Sequence, residues 1–331
     1  MSIDLPLLPD LSDTCLFGGQ FLSAFAYERS APRELVHRTA IGEVLLTDDW
    51  IRTGPDRFKV GAQWPRGHGF YEPVAHRWHD PLLAAESIRQ TSSLVSHVFY
   101  GLPRDHPTLM TELGIDLEPD ALLLDDSPAN VELTVACTDV ALHGKRLAGM
   151  TMEVGLARDG VHLGCGRMVL NCMRGSVYRR LRGAYAEVPE FLPEQAEPVP
   201  AHEVGRARES DVVLGRPPHG EEGWPLRVNW THPTLFDHPT DHVPGMLLLE
   251  AARQAAQRLL GPDAVLVTGM ANRFHRYVEF DAPCFVRARL SPSVLGDGAH
   301  EVLVTAEQNG EVAFESVLTA RAGSAPSGGR R

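Results

Sequence analysis

Two stretches of the chain decide its fold: HDPLLAAESIRQTSSLVSH (His79 to His97) and DHVPGMLLLEAARQAAQRL (Asp241 to Leu259). Both contain Glu-x-x-Arg-Gln, and Glu86, Arg89 and Gln90 stand in the same order as Glu250, Arg253 and Gln254. The separation is 164 residues in each case, from 86 to 250, from 89 to 253 and from 90 to 254. One such pair is ordinary on solvated helices. A longer register is not. Upstream, His37 in LVHRTAIGEVLL faces His202 in PAHEVGRARESDVVL at a separation of 165, and RFKVGAQW (Arg57 to Trp64) has a shorter counterpart in LRVNW (Leu226 to Trp230). The chain therefore carries one unit twice.

Outward from each helix the order repeats: a strand pair, the helix, then several strands. β-Branched content and alternation mark Val131 to Val135, Leu147 to Leu156 and Val161 to Leu170 in the first copy. The second copy offers Phe285 to Leu290, Glu301 to Ala306 and Val312 to Leu318, with turns at Gly296-Asp297-Gly298 and Asn309-Gly310. AEVPEFLPEQAEPVPAHE (Ala186 to Glu203) has four prolines among five glutamates, as suits a stiff linker. The expected divisions are an N-terminal segment (1–30), a first repeat (31–185), the linker (186–203), a second repeat (204–321) and a disordered tail (322–331).

In MLLLEAARQAAQRLL the polar Glu250, Arg253, Gln254 and Gln257 share one narrow stripe, so the helix is enclosed on most sides. The first helix has the same design, with Glu86, Arg89, Gln90, Ser93 and His97. An antiparallel sheet wrapped around a long apolar helix is the hotdog arrangement. The expected class is α+β, a tandem double hotdog.

Composition limits the chemistry. With 31 basic against 43 acidic residues and a net charge of -12, sequence-independent nucleic-acid binding is disfavoured. Lys59 and Lys145 are the only lysines, so an anionic substrate must be met by arginine. Five scattered cysteines without a CxxC read as buried thiols in a reducing compartment, and the expected location is cytoplasmic, away from any membrane. His76, His79, His238 and His242 lack a clear third ligand on a regular element, so no metal is expected.

Two resemblances follow from these residues. VPGMLLLEAARQA resembles the helix start of hotdog 3-hydroxyacyl-carrier-protein dehydratases, with Glu250 five residues after Gly245. Those enzymes need a histidine about 14 residues before the glutamate. Here the positions hold Phe236 and Glu72. More specifically, LVHRTAIGEVLL, HDPLLAAESIRQ, VYRRLRG (Val177 to Gly183), THPTLFDHPTDHVPGMLLLEAARQA (Thr231 to Ala255) and RYVEFDAPC (Arg276 to Cys284) resemble the A-factor biosynthesis hotdog family, bacterial gamma-butyrolactone signal synthases.

That resemblance implies an acyltransferase. It moves a β-ketoacyl group from the phosphopantetheine of acyl carrier protein to the hydroxyl of dihydroxyacetone phosphate, with no bound cofactor. The alternatives are a hotdog dehydratase or thioesterase and a non-catalytic acyl-binding module. Transfer needs a base, a donor to the thioester carbonyl and a cation for the phosphate. Candidate catalytic residues are Glu86, Glu250, Arg253 and His242, with a raised glutamate pKa expected and a site mixing repeats, such as Glu86 with Arg253. Arg89, Gln90, Gln254, His79, Gly245 and Met246 are candidates for substrate binding. The structural alternative makes each Glu-Arg pair an internal ion pair and Asp80 a helix cap. His79-Asp80 is read as answering Asp241-His242. Arg179, Arg180 and Arg182 form either a landing patch for the acidic carrier protein or a solvated exit from the repeat.

Overall fold

A computed structural model describes residues 25–191, 193–219, 222–294 and 298–322. Most of the expected N-terminal segment, the tail beyond residue 322, Cys15 and most of the Gly296-Asp297-Gly298 turn lie outside the described residues. The first repeat runs β1 (Leu46–Gly54), β2 (Arg57–Trp64), α1 (Leu82–Val98), β3 (Thr108–Leu117), β4 (Ala129–His143), β5 (Arg146–Arg158) and β6 (Val161–Cys172). A short helix, α2 (Gly175–Arg182), leads away. The second repeat runs β7 (Trp224–Pro225), α3 (Gly245–Leu260), β8 (Val265–Phe274), β9 (Cys284–Val294), β10 (Ala299–Gln308) and β11 (Glu311–Ala322).

All described strands join one sheet, ordered β1-β2-β4-β5-β6-β3-β8-β11-β10-β9-β7. Its seam is the antiparallel pair β3 and β8, from Glu112 opposite Arg273 to Asp116 opposite Gly269. Neither seam strand stands out in the sequence. Asn272 Nδ2 donates to the Leu113 carbonyl at 2.8 Å, adding a side-chain tie across the junction. Within the repeats, alternation predicts the strands well, and left-handed Asn309-Gly310 and Asp159-Gly160 turn the β10-β11 and β5-β6 hairpins.

Each helix packs against the strands of its own repeat. Leu82, Leu83, Ile88, Leu94 and Val95 of α1, and Leu247, Leu248, Leu249, Ala252 and Ala255 of α3, are buried. Close approach at α1 needs glycine: a Cβ on Gly166 would stand 2.4 Å from Ile88 Cδ1. The polar residues of α1 are satisfied locally, since Trp64 Nε1 donates to Ser87 Oγ at 2.9 Å and Thr91 Oγ1 to the Ser87 carbonyl at 2.7 Å.

The internal repeat is stricter than the linear register suggests. Arg38 binds Glu86 with Nε and Nη2 at 3.1 and 2.6 Å, and Arg206 binds Glu250 at 2.8 and 2.6 Å. Gln90 and Gln254 each accept a backbone N–H, from Leu45 and Val213, and each donate to a carbonyl, of Glu43 and Asp211. Arg89 and Arg253 reach the carbonyls of Val36 and Val204. Upstream of the helices the true offset is therefore 168, from 36 to 204 and from 38 to 206. This corrects the pairing of His37 with His202: Gly205 occupies the position of His37, and both residues have a positive φ, 67° and 53°.

The pairing of RFKVGAQW with LRVNW also holds only in part. Arg227 N bonds the Val213 carbonyl and Val228 N bonds Gln195 Oε1, which diverts the backbone from the sheet and leaves β7 two residues long.

Each buried glutamate receives five hydrogen bonds from two arginines and a glutamine. Each cluster also crosses between repeats. Arg38 Nη1 donates to the Thr234 carbonyl at 2.9 Å, and Arg206 Nη1 to that of Phe70 at 2.5 Å. Burial alone would raise the pKa of Glu86 and Glu250; the flanking Arg38 and Arg89, or Arg206 and Arg253, bring each down to about 2.

Cys137, Cys172 and Cys284 are free buried thiols, as expected. Cys165 is disulfide-bonded, which departs from the expectation of five thiols. No described helix is long and apolar enough to cross a membrane.

Removing one member of a buried ion pair strands the other, at about 3–5 kcal/mol. Glu250→Ala is expected to lower unfolding free energy by that amount in urea melts, whereas exposed Glu190→Ala should be silent within ~0.5 kcal/mol. Because the folded pKa values lie below the unfolded ones, this stabilisation is complete above roughly pH 4.5 and is lost as pH falls toward 2. Acid unfolding of Glu250→Gln should accordingly be shallower than that of the parent.

Candidate active site

Where α1, α3 and the seam meet, a cavity of about 280 Å³ is lined by Arg89, Ser92 and Ser93 of α1, the first residues of β3, Met168 of β6, and His242, Val243, Gly245 and Leu248. Phe274 and the residues after it, including Arg276 and Tyr277, form the remaining wall. Met110, Met168, Leu248, Phe274 and Val278 make most of that surface apolar, while His242, Arg89 and the two serines bring polar groups to it.

His242 belongs to a dyad. Its Nδ1 lies 2.6 Å from Asp241 Oδ1, which leaves Nε2 as the nitrogen free to act on a ligand. The other oxygen, Asp241 Oδ2, accepts from the Tyr178 hydroxyl at 2.6 Å. Burial would raise the Asp241 pKa, but the bonds from His242 and Tyr178 and the charge of Arg182 lower it to about 2. Asp241 is thus an anion at neutral pH, and its partner nitrogen carries the proton.

Arg89 brings a cation to the cavity. Its Nε and Nη2 grip Glu86 at 2.8 and 2.7 Å, so the guanidinium is held rigidly, with its side chain 20% exposed. Arg253 makes the same grip on Glu250 but is only 6% exposed and does not line the cavity. Charge balance differs too. Asp80 lies 3.6 Å from Arg206 and adds a carboxylate to the second cluster, whereas the corresponding residue beside the first is Pro244.

The helix starts differ in the same sense. Asp80 Oδ1 accepts the Leu82 N–H at 2.9 Å, confirming the cap reading, and α1 begins buried. α3 begins at Gly245 after Pro244, without a side-chain cap, and Gly245 faces the cavity. Its amide and the positive end of the helix dipole are open to an anionic oxygen. A Cβ here would stand 2.7 Å from Met110 Cε, so the Met110 side chain would have to shift to admit one.

Several expectations change. Glu86 and Glu250 do not have a raised pKa; each is locked as a carboxylate, because two guanidinium groups outweigh burial. The mixed pair of Glu86 with Arg253 does not form, since each glutamate pairs within its own repeat. Gln90, Gln254 and Arg253 are buried and bound to backbone and carboxylate, and the Met246 side chain lies in the core. None of the four lines the cavity. His79 does not answer His242: His79 N bonds the Leu122 carbonyl as Val243 N bonds that of Val278, so His79 matches Val243, and His242 matches Trp78. Burial lowers the His79 pKa to about 4 and leaves its ring outside the cavity.

Arg182 leaves the proposed patch, because it is buried against Glu279 and Asp241 with its guanidinium 4.0 Å from the centre of the Tyr277 ring. Arg179 and Arg180 remain exposed. Among the described residues, no group of three or more His, Cys, Asp or Glu side chains is arranged to hold a metal. Sequence reasoning missed Arg38 and Arg206, although Val36-His37-Arg38 against Val204-Gly205-Arg206 carries the signal. It also missed Tyr178, for which the linear sequence offers none.

The model of the A-factor biosynthesis hotdog domain matches residues 25–174 and again 188–324. The chain belongs to the A-factor biosynthesis hotdog family. It is 41% identical over 292 residues to the 2-oxo-3-(phosphooxy)propyl 3-oxoalkanoate synthase of Streptomyces virginiae, covering 88% of this chain and 98% of that protein. It is 43% identical over 292 residues to the synthase of that name from Streptomyces griseus, covering 86% and 94%. Among solved structures, it resembles a 12:0-ACP thioesterase from Umbellularia californica with a TM-score of 0.46 and 11% identity, covering 80% and 94%. The family's two matched hotdog domains correspond to the two repeats seen here.

The two equivalent arginines should behave oppositely. Arg253→Ala is expected to destabilise the fold by about 3 kcal/mol, as loss of a buried charge partner does. Arg89→Ala should destabilise less and instead weaken anion binding at least tenfold, measured as protection against thermal unfolding by a small organic phosphate.

Proposed function

We propose that this member of the family transfers a 3-oxoacyl group from a carrier-protein thioester to the free hydroxyl of dihydroxyacetone phosphate. The product would be a 2-oxo-3-(phosphooxy)propyl 3-oxoalkanoate, which can cyclise toward a butenolide phosphate on the way to a gamma-butyrolactone-type signal. One observation carries the reading: a largely apolar cavity holds an oriented His242-Asp241 dyad, the surface cation Arg89 and an uncapped helix start.

In this scheme Arg89, with Ser93 beside it, holds the phosphate. His242 Nε2 takes the proton from the acceptor hydroxyl as its oxygen attacks the thioester carbonyl carbon. The resulting oxyanion sits at the start of α3, near the Gly245 N–H. The carbon–sulfur bond then breaks, and the thiolate recovers the proton from His242. Asp241 remains ionised throughout and steadies the imidazolium. The apolar wall of Met110, Met168, Leu248 and Phe274 takes the acyl chain. Glu86 acts at one remove, as the carboxylate that aims Arg89.

Arg179 and Arg180 on α2 provide positive charge at the edge of an acidic molecule and suit docking of an acidic carrier protein.

The test is the mass of the product from a 3-oxoacyl thioester and dihydroxyacetone phosphate. A phosphorylated ester or butenolide is expected. Thioester hydrolysis indifferent to the phosphate acceptor would overturn the reading in favour of a thioesterase. His242→Gln should lower kcat about 10²–10³-fold. Arg179→Glu combined with Arg180→Glu should raise KM for the carrier-bound donor while leaving KM for a free pantetheine thioester within twofold.

A further inference from the structure

α2 leaves the end of the first repeat and lies against the entry to the second repeat's helix. Two of its side chains converge on Asp241. The Tyr178 hydroxyl donates to Asp241 Oδ2 at 2.6 Å, and Arg182 Nη2 donates to the Asp241 backbone carbonyl at 3.1 Å, with Nε 3.5 Å from Oδ2. Arg182 is itself fixed, since it binds both oxygens of Glu279 and lies over the Tyr277 ring. Tyr277 in turn packs edge-on against His242, with ring centres 4.7 Å apart at 71°.

With Oδ2 occupied from α2, Asp241 has Oδ1 left for His242 Nδ1, so the imidazole has one preferred orientation. Tyr178 and Arg182 do not line the cavity. Any influence they have on a bound substrate must pass through Asp241 or through Tyr277, which lines the cavity and lies against Arg182. Trp78 replaces His242 in the other half, so this support serves one helix start and not its twin.

We infer that Tyr178 and Arg182 are positioning residues, which hold the Asp241 carboxylate so that His242 presents Nε2 to the acceptor hydroxyl. The inference rests on His242 being the base. It makes α2 part of the site as well as a connection between repeats.

The charged or titratable groups around the imidazole are Asp241 beside it, Tyr178 and Arg182 from α2, Tyr277 from the segment after β8, and Arg89, His275 and Arg276 on the cavity wall. Removing the Tyr178 donor concentrates charge on Asp241, which favours the imidazolium and loosens the carboxylate's orientation. Burial and the bond to Asp241 raise the Tyr178 pKa, so its hydroxyl stays a donor over the working pH range.

Tyr178→Phe keeps the ring and removes only the hydroxyl. It is expected to lower kcat about tenfold, leave KM for dihydroxyacetone phosphate within twofold, and move the acid limb of the pH–rate profile to higher pH. Arg182→Lys should recover part of the kcat lost in Arg182→Ala. A second measurement needs no turnover: the hydrogen-bonded His242 Nδ1–H should give a low-field proton resonance in the parent chain. That resonance should vanish in Asp241→Asn and shift in Tyr178→Phe. An unchanged acid limb and resonance in Tyr178→Phe would overturn the inference even if the parent transfers acyl groups. A parent without transferase activity would defeat the proposed function, while the resonance would still decide whether α2 positions His242.

Discussion

The buried carboxylates of Glu86 and Glu250 are the constraint on which the remaining structure depends. A charge inside a helix packed on all sides is tolerated only when its partners are also inside and hydrogen-bonded. Each glutamate therefore recruits an arginine from its own helix, a second from the loop before the first strands, and a glutamine that fixes that loop by two backbone bonds. Arg38 and Arg206 then spend their remaining donors on the opposite repeat. Helix, entry loop and neighbouring repeat are tied at one point in each half. The seam of β3 and β8 joins the sheets, and these clusters join what lies beneath them.

On this symmetric frame the two helix starts have diverged. One is closed: Asp80 caps α1, neutralises the Arg206 cluster and lies fully buried near His79. The other is open, with Pro244 and Gly245 leaving the start of α3 without a side-chain cap and facing a cavity. Pro244 stands where the other half has Asp80, and Arg89, not Arg253, lines the cavity. Duplication thus gives the molecule two copies of its structural clamp and, among the described residues, one cavity where a histidine dyad, a surface cation and a free helix start meet. Equivalent residues differ in exposure: Arg253 is enclosed, and Arg89 lines the cavity.

The legible part of the sequence was the part governed by local periodicity. The 164-residue offset, the enclosed helices, the hairpin turns and the strands of β4 to β6 and β9 to β11 all follow from spacing and side-chain type. Arg89, His242 and Gly245 could be nominated because they lie on or beside the repeated helix motif. The entry loops were misaligned by three residues because His37 and His202 looked alike. The structure aligns backbone conformation instead, and a left-handed residue before arginine defines the match.

What the sequence determined by itself was the duplicated hotdog unit and the set of polar residues able to do chemistry, since helical and strand periods record which face is buried. Tertiary structure decided which of those residues meet. Whether a Glu-Arg pair is a clamp or a catalyst depends on how many donors surround the carboxylate, and the second arginine comes from 48 or 44 positions away. Whether a histidine is a base depends on a carboxylate, and the grip on that carboxylate comes from Tyr178, 63 positions before it. Such contacts are set by the closure of loops onto packed helices, which no local spacing encodes.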